Sequence, residues 1–172
     1  MSRLANPDPK LKFPVSPRTK VFRVIDRQIR TDKSLARYVR PESIKSWTGD
    51  PDDKQPFSIG QCPSIMLTPS TGPEQFWATE GMLGTLNINV DMAVTGSCWE
   101  DMDGFWYAIQ SALYVPNDIA AQNAFVVALQ QAGAHKGLCE FSAVVTDPDG
   151  GEADALIGRA VIRIEYRLNY RT

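Results

Sequence analysis

Apolar and polar residues alternate most regularly between Thr85 and Val94. There Leu86, Ile88, Val90, Met92 and Val94 interleave with Thr85, Asn87, Asn89, Asp91 and Ala93. Successive side chains point to opposite faces of a strand, so this pattern predicts a sheet with one buried side. At the extended rise such a strand spans about 33 Å, enough to cross the whole core or project beyond it. The same period returns near the C-terminus. Leu156, Gly158, Ala160, Ile162, Ile164, Tyr166 and Leu168 face one way, while Arg159, Val161, Arg163, Glu165 and Arg167 face the other. Cys139, Phe141, Ala143 and Val145 alternate before it, and Asp147 to Asp154 supplies turn formers, so the two segments form a terminal β-hairpin. Ser64 to Thr68, between Pro63 and Pro69, is a short buried strand, and residues 69–80 form a polar connection.

A helical period governs the segments between. Phe22, Ile25 and Ile29, widened by Val21 and Val24, predict an amphipathic helix from Lys20 to Val39. It breaks near Thr31–Asp32, leaves Ser34 to Val39 as a short second piece, and ends at Pro41. Residues 40–62 are a loop. Ser97 and Glu100 have capping-box spacing, and Trp99, Met102, Trp106, Ile109 and Leu113 follow on one stripe up to Tyr114 and the stop at Pro116. Asn117 or Asp118 caps a further helix through Gln131, with Gly133 ending it. The elements together predict an α+β fold: an antiparallel or mixed sheet packed against two or three amphipathic helices, with a terminal hairpin. Four prolines (Pro7, Pro9, Pro14, Pro17) make residues 1–19 an extended Pro-rich N-terminal arm, leaving 20–172 as a single domain.

Charge sharpens this picture. The net charge is −2, but residues 1–45 carry a net +8, residues 46–158 a net −13 and residues 159–172 a net +3. A chain divided this way is electrically dipolar if its segments fold to different faces, and such a molecule stacks on copies of itself or on partners. If the segments lie side by side instead, they neutralise one another. The basic residues Arg23, Arg27, Arg30 and Arg37, with Lys10, Lys12, Arg18 and Lys20, form the one stripe able to track phosphates. No DNA-reading motif accompanies them, so a solvated face or a contact with an acidic neighbouring subunit is the expectation. The acidic set Asp147, Asp149, Glu152 and Asp154 superficially resembles a calcium loop, but Pro148 and the paired glycines break the ligand spacing. A hairpin tip able to touch a basic partner fits better. Arg23, Arg27, Arg30, Arg37, Asp147, Asp149, Glu152 and Asp154 are therefore the candidate partner-interface residues.

Catalytic chemistry finds no footing. The one histidine, His135, stands four residues before Cys139 across a glycine-containing turn, with no orienting third group. Asp50, Asp52 and Asp53 sit in a turn-rich loop. Three cysteines at irregular spacing, Cys62, Cys98 and Cys139, are neither a disulfide framework nor a zinc pattern. No metal, cofactor or membrane span is expected, and the start of the chain lacks the apolar run of a secretory signal. Synthesis in a cytosol is the expectation.

The order helix, short strand, long strand, helix and terminal strand pair resembles the tail-terminator proteins of long-tailed bacteriophages and related tail-completion and neck proteins. The resemblance runs from Lys20 to Leu168. It rests on the opening helix, the Pro63–Thr68 strand after a long loop, the Leu86–Val94 strand leading into Ser97–Tyr114, and the closing Ile162–Leu168 strand. The Pro-rich arm and the Asp118–Gln131 helix are additions to the family's minimal form. The resemblance implies a virion protein made in the bacterial host cytoplasm. It would form a ring homo-oligomer, a hexamer, on the tail tube, stop tube polymerisation and dock the neck connector. Genomic DNA would pass through its channel without sequence-specific binding. A neck stopper, a tube subunit, a small ligand-binding domain or enzyme, and a nucleic-acid-binding module are the alternatives.

Overall fold

The computed structural model describes residues 15–46, 62–78, 81–96, 98–115, 118–147 and 155–169. The fold is α+β: a six-stranded mixed sheet with three helices on one face. Helix α1 (Pro17–Thr31) is followed by three-ten turns at Leu35–Arg37 and Pro41–Ser43 and by strand β1 (Ile44–Ser46). Strands β2 (Ser64–Ala78) and β3 (Gly81–Thr95) precede helices α2 (Trp99–Tyr114) and α3 (Ile119–Ala132). Strands β4 (Glu140–Phe141), β5 (Val145–Asp147) and β6 (Ala155–Asn169) close the chain. The sheet order is β1-β2-β3-β6-β4, with β5 also on β6. Only β1, parallel to β2, departs from antiparallel pairing.

The core lies where the alternation placed it. Leu86, Ile88, Val90, Met92 and Val94 of β3 and Ala160, Ile162, Ile164 and Tyr166 of β6 are buried. The register sets Ile88 opposite Ile162 and Leu86 opposite Ile164, so one face is apolar throughout. Val21, Phe22, Ile25 and Ile29 of α1 and Met102, Phe105, Trp106, Ile109, Ala112 and Leu113 of α2 pack on that face. Each fully buried aliphatic side chain contributes roughly 1.5–3 kcal/mol. That packing, more than intrinsic propensity, holds helices of this length together.

The boundaries depart from the sequence reading in ways that have physical causes. Helix α1 begins at Pro17, not Lys20: Ser16 caps it through Thr19 N–H at 3.3 Å, and proline suits a first helical turn. The expected break is present, with Asp32 Oδ1 accepting from the N–H groups of Ser34 and Leu35. The loop expected over 40–62 contains β1, a strand too short to show a period. The polar connection expected over 69–80 is instead the continuation of β2 up to Ala78, paired to β3 with register shifts after Thr71 and Phe76. β1 covers β2 only from Ile65 to Leu67, so Pro69 stands where β2 is an edge and needs no donor on its outer side. Strand β3 starts at Gly81, four residues before the alternation begins.

Three further expectations fail locally. Cys98, not Ser97, occupies the N-cap of α2, without a side-chain cap bond; Ser97 lies outside the described residues. Trp99, expected on the buried stripe, is 55% exposed. The first arm of the terminal hairpin is split. Phe141 pairs with Ile162 and Val145 with Arg159, so one extra residue bulges from β4–β5. The bulge turns Val145 outward, 70% exposed, where unbroken alternation would have buried it. Ser142 repairs the ladder: its N–H donates to Val161 O at 2.9 Å, and its Oγ accepts from Val161 N–H at 2.8 Å.

Helix α3 is capped as expected, with Asp118 Oδ1 accepting from Ala121 N–H and Gly133 ending it at φ 111°. Gly133 is also a junction. Its carbonyl accepts from Arg167 N–H at 2.9 Å, and a Cβ at this position would lie 2.9 Å from Pro17.

Candidate interaction surfaces

Helix α1 turns one face to the core and the opposite face outward. Opposite its buried stripe stand Lys20, Arg23 and Arg27, all exposed, at helical spacings of three and four. None of their side chains has a hydrogen bond or ion pair among the described residues. Arg30, one further turn along, is engaged internally. Its Nε donates to Asp26 Oδ1 at 2.8 Å, Nη1 to Ile44 O at 2.6 Å and Nη2 to Ser46 Oγ at 2.9 Å. Ser46 Oγ also donates to Asp26 Oδ1. The guanidinium fork thus staples β1 to α1. Arg37 is exposed on the three-ten turn that touches both α1 and α2, away from the α1 row. The four arginines grouped by sequence are therefore a pair, a staple and an outlier.

Helix α2 carries the opposite charge. Glu100, Asp103 and Tyr107 are exposed on the stripe facing away from Met102, Trp106 and Ile109, and Tyr114 continues it. Tyr107 is 64% exposed and Tyr114 61%. Asp101 is also exposed and accepts from Cys98 Sγ at 2.9 Å. Glu100 and Asp101 stand in the first turn, where free amide N–H groups favour anions, and Asp103 follows in the next.

Both helices lie on the same face of the sheet and touch there: Gln28 Nε2 of α1 donates to Ala112 O of α2 at 3.0 Å. Arg30 ties α1 to β1, and Phe22, Arg23 and Asp26 share with Ser46, Pro69, Ser70 and Thr71 an open groove above the β1–β2 side. α2 sits toward the other side: Trp106 Nε1 donates to Ser142 O at 3.1 Å, its ring meets Phe141 edge-on at 6.0 Å, and Met102 lies against Gly158. The acidic residues expected at the hairpin tip form no site that can be described. Asp147 ends β5, and Asp149, Glu152 and Asp154, like Asp50, Asp52 and Asp53, lie outside the described residues. Tyr107 escaped the sequence reading, and Trp99, read there as part of the buried stripe, is exposed with Tyr114; only the width of the apolar stripe on α2, broader than one buried face, signalled a surplus.

The uncovered face of the sheet is polar. Arg159 pairs with Asp91 at 2.5 Å, and Arg163 Nε donates to Asn87 Oδ1 at 3.4 Å.

His135 and Cys139 are not brought together. His135 Nδ1 accepts from Arg167 Nε at 2.6 Å beside a cavity lined by Pro17, Lys20, Gln130 and Gly133, with no carboxylate among the lining residues. Cys139 lines a separate cavity with Phe125, Phe141 and Leu113. Burial pushes the Cys139 thiol up to about 12, so it stays protonated at neutral pH. The Cys98 thiol is also raised, because Asp101 accepts its proton and disfavours the thiolate. Burial raises Cys62. None of the three cysteines is in a disulfide. Among the described residues there is no group of three or more His, Cys, Asp and Glu able to hold a metal ion, and no helix is long and apolar enough to cross a membrane.

No protein-family model and no curated protein matches the chain. It is similar in structure to a chain of the virion of a native gene transfer agent particle, at 13% identity and a TM-score of 0.40. The similarity covers 88% of this chain and 94% of that one.

Proposed function

We propose that the chain is a structural, non-enzymatic component of a phage-like virion. More specifically, it is a tail terminator that caps the tail tube as a ring, stops tube polymerisation and joins the tail to the neck. The observation that carries this reading is a pair of unlike outward surfaces, a basic row on α1 and an acidic, aromatic stripe on α2, carried by two different helices of one layer. A subunit with two unlike, complementary surfaces makes head-to-tail contacts, and these close into a ring when the rotation per subunit allows. The order of elements along the chain, which resembles that of tail terminators, supplies the choice among virion parts. The separation of His135 from Cys139 supports a non-enzymatic role.

Particles assembled with and without the chain test the reading by electron microscopy of their tails. Loss of the chain is expected to leave tubes of uncontrolled length lacking heads, with density for a ring at the tube end when it is restored. Polymerisation of the pure chain into long tubes would make it a tube subunit instead. Normal, headed tails in its absence would overturn the proposal.

A further inference from the structure

We infer that the basic row of α1 (Lys20, Arg23, Arg27) docks on the acidic, aromatic stripe of α2 (Glu100, Asp103, Tyr107) of a second copy of this chain. The inference rests on the structural-subunit reading but goes beyond it by assigning the self-contact to two helix faces.

Three observations converge. The six side chains are exposed, and apart from the contact of Glu100 with the Cys98 thiol none of the charged ones is engaged by another side chain of the described residues, whereas Arg30 and Asp26 close by are satisfied internally. A charge row left unpaired inside its own molecule is open to a partner. The two stripes also match in form. Lys20, Arg23 and Arg27 repeat at three and four residues, and Glu100, Asp103 and Tyr107 repeat at the same intervals, so two helices laid side by side set one row along the other. Finally, the acidic stripe carries an anchor: Tyr107 presents a large amphipathic side chain of a type enriched at the centre of interfaces. The stems of Arg23 and Arg27 offer the apolar surface such a ring covers, with their guanidinium planes available for stacking.

A nucleic-acid partner for the α1 row would leave the acidic stripe unexplained; a second copy accounts for both with one contact. Rim charges of this kind act mainly on association rate and register and weaken with salt.

The test uses the full-length chain in sedimentation velocity at about 0.05 M and about 0.5 M salt, concentrations between which the screening length shortens several-fold. Self-association is expected at low salt and is expected to weaken at least tenfold at high salt. R23E/R27E and E100K/D103K are each expected to sediment as monomers, R23E/R27E with a melting temperature near the parent's and E100K/D103K a few degrees lower, because Glu100 stands in the first turn of α2. Mixing the two variants is expected to restore association, since each reversed face meets its complement. Y107A is expected to weaken association without altering the salt dependence.

Association that survives both charge reversals, or a mixture that stays monomeric, would overturn the inference while leaving the virion reading untouched. Restored pairs that stop at two copies would keep the contact but remove the ring. A wild-type chain that stays monomeric at low salt and high concentration would overturn the contact, and the tail microscopy would then decide the virion reading separately.

Discussion

Tyr166 is fully buried, and its ring lies across the strand partner Gly84: a Cβ there would come within 2.5 Å of Cζ and 2.6 Å of the hydroxyl oxygen. The absence of a side chain at one residue thus makes the site of another, as aromatic rings do over strand glycines. Gly158 has a similar close neighbour, but there the atoms within reach are the sulfur and outer carbons of Met102. A thioether chain with three rotatable bonds moves aside; a ring wedged in the core does not. G84A is therefore expected to cost about 1–3 kcal/mol in urea unfolding and G158A about 1 kcal/mol or less. Equal losses would mean that Met102 is held as rigidly as Tyr166.

At the scale of elements, β1 depends on side chains more than on its own ladder, because it pairs with β2 over three residues only. The Arg30 fork reaches both ends of it, at Ile44 O and Ser46 Oγ. Charge-assisted bonds of this sort contribute about 1.5–3 kcal/mol each at most, with solvent lowering the sum for a partly exposed pair. R30A is expected to leave the β3–β6 amides protected in hydrogen exchange while the amides of Ile44 to Ser46 exchange at least tenfold faster. Uniform loss of protection would instead make the staple part of the global core. Legibility from sequence follows the same division. The β3 and β6 cores, the break at Asp32 and the cap at Asp118 were legible because a period or a cap residue marks them locally. The first four residues of β3 were not, because Gly81 and Gly84 erase the alternation that Tyr166 restores only in space. The second half of β2 was hidden by Pro69, Gly72 and Pro73, residues that an edge strand tolerates. The one-residue bulge at Ser142 inverted Val145, and no local signal distinguishes a bulged strand from a regular one. Of the candidate interface, Arg23 and Arg27 were legible as an exposed row; the inward role of Arg30 depends on β1, which was not.

For the molecule as a whole, the long strands set the order of events. β2 and β3 are neighbours in sequence, but β6 must find β3 across both α2 and α3, pairing Gly81 with Asn169. Contacts of such separation require loop closure before they stabilise anything. Stopped-flow refolding is accordingly expected in the range of about milliseconds to seconds; microsecond folding would mean that the helical layer forms without the central strand pair.

The junction at Gly133 bears on how the molecule can be handled. Pro17 and Arg167 approach the same glycine, so the two ends of the described chain meet at one corner of the sheet. Reporter dyes attached at Pro17 and Arg167 would sit within easy energy-transfer range while the fold is intact and separate only when it opens. The same corner is the natural seam for a circular permutant: a short peptide there would join the two ends of the described chain beside the first turn of α1.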